Sequence, residues 1–232
     1  MAAATDTEVV DLATTPLREL NQRLHDAAPG GPRAWRIVNP NGAHAIAVGI
    51  DADIDVVIEG HTGYYAAGMN QHASVTIEGN AGVGVAENIM SGRVHVKGNA
   101  SQACAATGRG GLVVVDGNAS SRCGISMKGV EIVVKGDIGH MSGFMAQSGA
   151  LVVCGDAGDA LGDSIYETHI YVRGSVQGLG ADCIEKELGD FHRAELQRLL
   201  DAAGADAKVD EFKRYGSARQ LYTFNIDNAG AY

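Results

Sequence analysis

The chain has 232 residues, a net charge of −10, 45% apolar residues and only 5% aromatic ones, which fits one domain with appendages and a core of Val, Ile, Leu and Ala. An acidic chain without a Lys/Arg block lacks the concentrated basic surface that phosphate binding needs, which argues against nucleic acid as a partner. No basic segment leads into an apolar run at the N-terminus, and no stretch approaches the roughly 18 apolar residues of a membrane span, so a cytoplasmic protein is expected.

In chain order, Thr15 and Pro16 predict the N-cap and first helical residue of a short helix with Leu17, Leu20 and Leu24 on one stripe. Residues 1–34 are read as an N-terminal arm carrying this helix. Trp35 then opens WRIVNPNGAHAIAVGI, which is apolar but out of step with the 19-residue repeat downstream of it, and predicts an irregular first layer.

In that repeat a short apolar segment ends in a glycine, and the glycines are Gly60, Gly79, Gly98, Gly117, Gly136, Gly155 and Gly174, each 19 residues after the last. Four and two residues before them stand Val56/Ile58, Val75/Ile77, Val94/Val96, Val113/Val115, Ile132/Val134, Leu151/Val153 and Ile170/Val172. Alternation by two puts these side chains on one strand face. Between them lie residues such as Thr76, His95 and Tyr171, and directly before the glycine lie mostly charged ones (Glu59, Glu78, Lys97, Asp116, Lys135, Arg173), so the opposite face is expected to be wet.

A spacing of two and a glycine in every unit exclude a helical repeat, and a hexapeptide solenoid would step by 18. The fold class predicted for residues 35–184 is therefore all-β, a right-handed parallel β-helix. It is a single-stranded solenoid of about seven coils of 19 residues, roughly 30–35 Å long at a strand spacing of about 4.8 Å. After each glycine stand His61, Asn80, Asn99, Asn118, Asp137, Asp156 and Ser175, turn formers whose side chains can bond from coil to coil. Seven places on stand Ala67, Ala86, Ala105, Gly124, Gly143, Gly162 and Ala181, the small residues of a tight corner or narrow interior.

Solenoid ends need caps, and small helical caps are expected at both. Residues 185–232 hold the second: FHRAELQRLLDAAG predicts a helix burying Leu196, Leu199, Leu200 and Ala203 and stopping at Gly204. Phe212, Tyr215, Tyr222, Phe224 and Tyr232 come after it, and such a tail either clamps along the rod or docks into a partner.

Candidate chemistry is sparse. Asp137 and Asp156 stack in successive coils near Asp159 and Asp163 and could hold a cation or share acid–base work, or simply replace Asn at a corner. Arg109 and Lys128 share a coil position, with Lys97 and Lys135 nearby, as an anion attractor or as solvated charge. His25, His44, His61, His72, His95, His140, His169 and His192 show no HxH or HExxH spacing. Cys104 and Cys123 fall in adjacent coils, as small buried thiols or as a redox pair, while Cys154 and Cys183 complete a set without CxxC spacing. The glycine stretches precede no helix and so are not dinucleotide fingerprints. No catalytic, cofactor-binding or metal-binding residue is assigned.

IEGHTGYYAAGMNQHASVTIEGNAGVGVAENIMSG, ATGRGGLVVVDGNASSRCGISMKG, HMSGFMAQSG and the tail KRYGSARQLYTFNIDNAGAY resemble the GXGXG domain of glutamate synthases. Within that family the chain is most similar to the free-standing GXGXG subunit of N-methylglutamate synthases, strongly so from Trp35 to Cys183 and again in the tail. The resemblance implies a non-catalytic scaffold subunit, inactive alone, in a complex making N-methyl-L-glutamate and ammonia from methylamine and L-glutamate. The implied partners are a class II glutamine-amidotransferase subunit and a synthase subunit that carries FMN and iron–sulfur clusters, with no cofactor in this chain. Two alternatives stand beside it: a scaffold of formylmethanofuran-type complexes, and an independent carbohydrate-active β-helix enzyme.

Overall fold

A four-residue strand with Val or Ile at alternate places has one face to bury, and stacking equivalent strands buries it. The computed structural model describes residues 7–27 and 31–218. Its chain enters as β1 (Thr7–Asp11), passes through α1 (Leu17–His25) and returns as β2 (Ala34–Val38). Then come β3 (Asp55–Ile58), β4 (Ser74–Ile77), β5 (Arg93–Val96), β6 (Leu112–Val115), β7 (Lys128–Val134), β8 (Ser148–Val153) and β9 (His169–Val172). Finally β10 (Cys183–Lys186), α2 (Asp190–Ala203) and β11 (Lys213–Ser217) close the described chain. One 11-stranded sheet runs β1 to β9 in sequence order and ends β11, β10.

The fold is a parallel β-solenoid of about seven repeated coils. From β3 to β9 the register never slips in the core: Val56 pairs with Val75, then Val94, Val113, Ile132, Leu151 and Ile170 in turn. All seven are at most 1% exposed, as are the seven residues two places on, so the interior column is dry along its length. A second line of parallel bridges links Ala81, Ala100, Ala119, Ile138, Ala157 and Val176, again one per coil. Opposite the strands, the small residues turn the chain with positive φ: Ala67 at 53°, Ala86 at 56°, Ala105 at 53° and Gly124 at 67°. Their N–H groups donate to the coil before, as from Ala86 to Ala66 O at 2.9 Å and from Ala105 to Val85 O at 2.8 Å. A larger side chain there would meet both strain and a full interior.

Three expectations need correction. The Trp35 segment is not irregular in its strand, because Trp35 pairs with Val56 and Ile37 with Ile58, a step of 21 residues. The two extra residues are absorbed in the loop between β2 and β3. A further strand, β1, precedes it and pairs in parallel with β2. Pro16 is the N-cap rather than the first helical residue, since its ψ of 137° is extended while its carbonyl accepts from Leu20 N–H at 3.1 Å. The outer face is not wet throughout: Val114, Val133, Val152 and Tyr171 are 0% exposed. Helix α2 lies over them with Leu196, Leu199, Leu200 and Ala203, and Phe212 completes this second core.

Both ends are capped. Leu20 and Leu24 of α1 enter the interior cluster, and Asn21 accepts Ala47 N–H and donates to Ala45 O, both at 2.9 Å, in place of a preceding coil. At the other end β11 lies antiparallel between β9 and β10 and buries Tyr215. The described part of the tail thus clamps along the rod, while Tyr222, Phe224 and Tyr232 lie outside the described residues. Gly204 stops α2 in the left-handed conformation at φ 59°, as its sequence position predicts.

Candidate functional site

The corner residues from His61 to Asp156 accept from the next coil's backbone. His61 Nδ1 accepts Asn80 N–H at 2.8 Å, and Asn80, Asn99, Asn118 and Asp137 Oδ1 each accept the N–H 19 residues on at 2.8 Å. Asp156 Oδ1 ends the ladder, accepting both the N–H and the hydroxyl of Ser175 at 2.6 and 2.9 Å, which hold its carboxyl below the usual range. Asp137 and Asp156 are therefore ladder rungs. The preceding glycines are needed for space: a Cβ would stand 2.4 Å from Asn99 Oδ1 at Gly117 and 2.1 Å from Asn118 Oδ1 at Gly136. Asp159 lies elsewhere on the coil, and Asp163 accepts from the Ser164 hydroxyl at 2.8 Å. Among the described residues no group of three or more His, Cys, Asp and Glu could hold a metal.

The basic residues separate likewise. Lys135 and His95 converge on Asp116 at 2.8 and 2.9 Å, with Lys97 at 3.8 Å, so they neutralise a carboxylate of the outer face. Burial pushes Asp116 up, but the hydrogen bonds from Lys135 and His95 outweigh it and leave its pKa lowered. Arg109 and Lys128 stay exposed on successive coils. Cys104 and Cys123 are fully buried free thiols, and the neighbouring Cys104 together with burial raises Cys123, which suits a packing role over a nucleophilic one.

The polar constellation that sequence reasoning missed lies at the C-terminal end. His169 and Tyr171 alternate along β9 and so share its outer face, where α2 crosses them. Glu195 Oε2 receives His169 Nδ1 at 2.8 Å and the Tyr171 hydroxyl at 2.5 Å. An ionised carboxylate can only accept, so both partners donate. Burial raises Glu195, yet these two bonds outweigh it and keep it ionised, while burial and that same bond push Tyr171 well up. His192 packs edge-on against His169, ring centroids 4.9 Å apart, with burial lowering its pKa. The only signal was weak: His192 and Glu195 at helical i, i+3 spacing, and His169 and Tyr171 at strand spacing.

Beside this cluster opens a cavity of about 430 Å³ walled by Ser148, Tyr166, Thr168, His169, Lys186 and Arg214 among others. Arg214 Nε donates to Glu187 O at 2.7 Å, which fixes the guanidinium plane. The Thr168 hydroxyl and His192 Nδ1 are buried without a hydrogen-bond partner among the described residues. Among the described residues the cluster centres on a carboxylate locked by two donors, Glu195 with His169 and Tyr171, and not on a nucleophile held by a base.

Ladder, interior column and capped ends define a parallel β-solenoid protein with an internally bonded corner and a cavity of mixed polar and apolar lining near the C-terminal end of the described residues. Protein GlxC of Rhizobium meliloti (strain 1021) is 61% identical over 226 residues, covering 97% of this chain and 99% of that one. The chain belongs to the GlxC family. No family model matches it. No helix among the described residues is long and apolar enough to cross a membrane.

Proposed function

We propose that this chain is a non-catalytic scaffold subunit of a glutamate-synthase-like complex, of the N-methyl-L-glutamate synthase type. In this reading it bridges a class II glutamine-amidotransferase subunit and a synthase subunit carrying FMN and iron–sulfur clusters, and works in the cytoplasm. The complex joins methylamine to L-glutamate and releases ammonia.

The observation that carries the reading is the ladder. Each coil locks to the next through a side-chain acceptor as well as the strand bonds, the ring nitrogen of His61 and then the Oδ1 of Asn80, Asn99, Asn118 and Asp137, each at 2.8 Å. Such a stack flexes little and suits holding two active sites at a fixed separation, so that a reactive amine need not diffuse between them. The sequence resemblance to GXGXG domains points the same way.

The test is purification of the tagged full chain from its own host, with mass spectrometry, a flavin absorbance scan and an assay for methylamine-dependent N-methylglutamate formation. Recovery of an amidotransferase and a flavin–iron–sulfur subunit with that activity is the expected result. A colourless chain recovered alone overturns the proposal, and so does recovery with formyl-transfer partners or polysaccharide cleavage by the isolated chain.

A further inference from the structure

We infer that the cavity walled by Thr168, Lys186 and Arg214 binds a small organic carboxylate. Cations around it are nearly all spoken for: Lys213 pairs with Glu185 at 3.0 Å, Arg198 with Glu131 at 2.5 Å, Arg193 with Asp210 at 2.5 Å and Arg173 with Glu211 at 3.7 Å. Lys186 and Arg214 are the exceptions, making no ion pair with a carboxylate within 4.0 Å among the described residues, although the charges of Glu195 and Glu187 act on Arg214 from farther off, and both line the cavity. The bond from Arg214 Nε to Glu187 O orients the guanidinium while leaving its terminal nitrogens to a ligand. A planar fork held this way matches the two oxygens of a carboxylate.

The Thr168 hydroxyl is the second observation. The residue is 1% exposed, lines the cavity and has no hydrogen-bond partner among the described residues. A buried hydroxyl left so costs about 1–3 kcal/mol, which a ligand oxygen would relieve on a turn of the Thr168 side chain toward the cavity. The cavity's size fits an organic molecule, since about 430 Å³ falls in the usual range of small-molecule sites and far exceeds a lone inorganic ion. Glu167 also lines it without an ion pair among the described residues, and its like charge disfavours a phosphate dianion. The site does not depend on the scaffold reading.

The experiment is calorimetric titration of the full chain with the monoanions pyruvate and L-glutamate, and with inorganic phosphate in parallel. At least one carboxylate should bind one saturable site, with phosphate at least about tenfold weaker. Losing one charge-assisted bond in Arg214→Gln or Lys186→Gln should weaken binding about tenfold or more. Arg109→Gln, an exposed cation outside the cavity, should leave it unchanged. If Arg214→Gln fails to fold, Lys186→Gln decides, because the Lys186 ammonium holds no hydrogen bond among the described residues. No saturable binding of either carboxylate, phosphate binding as tight as theirs, or unaltered affinity in these variants overturns the proposal.

Discussion

Strands β3 to β5 and strands β6 to β9 share one interior and differ on the outside. The outward residues Val57, Thr76 and His95 are half-buried, whereas Val114, Val133, Val152 and Tyr171 are sealed under α2. The inward column specifies the solenoid and is read by its neighbours in the stack. The outward column specifies what is laid upon it. The division is marked at its edge by Arg93, which donates to Ala202 O at 3.0 Å at the C-terminal end of α2, and by the Arg198–Glu131 pair.

That contrast can be broken by mutation. Leu199→Ala, which opens the covered half, should lose about 2–5 kcal/mol in denaturant unfolding, while Thr76→Ala in the open half should lose under about 1 kcal/mol. Equal losses would mean that α2 adds no second core. The ladder serves both halves, so Gly98→Ala and Gly155→Ala should each lose about 1–3 kcal/mol from overpacking, their added Cβ standing 2.3 and 2.1 Å from the rung oxygen. A clear difference between the two would show α2 stiffening the corner at a distance. Tyr171→Phe should lose about 1 kcal/mol by removing a donor from Glu195, measured in the same way.

The smallest effect concerns acid. Asp116 has its folded pKa below the ordinary value of 3.8, so the stability it contributes is full above that value and is lost as pH falls through the folded one. Asp116→Asn should therefore lie under about 1 kcal/mol below the parent near pH 6, and the gap should narrow as pH falls below 3.8. A gap that widens on acidification would reverse the assignment.

Most of the fold was legible because a solenoid is local: Val75 meets Val94 simply because they are one period apart. The stop of α2 at Gly204 was legible for the same reason, being a cap chemistry written in adjacent residues. The cover over Val114, Val133 and Val152 was hinted at by three valines at supposedly wet positions, but which helix covers them depends on a chain return that no period encodes. The same return produces β11, whose antiparallel place between β9 and β10 depends on what the strand edge lacks. The Glu195 cluster was invisible for that reason too, as it joins β9 to α2 across 24 to 26 residues. The Asp137 and Asp156 alternatives were correctly framed in the sequence, and only the rung distances choose between them.

The constant step has a consequence for how such a chain can change length. Because every rung joins residues 19 apart, removing residues 98–116 would carry Gly117 into the place of Gly98 with all columns preserved. The molecule behaves as a ruler graduated in units of about 4.8 Å, which can gain or lose whole graduations but not fractions of one. A single residue inserted within one of the strands β3 to β9 would instead turn that strand's following inward side chains outward. The 21-residue step from β2 to β3 and the 20-residue step from Lys128 to Ser148 show where an uneven mark is allowed, ahead of the inward-facing core positions of a coil.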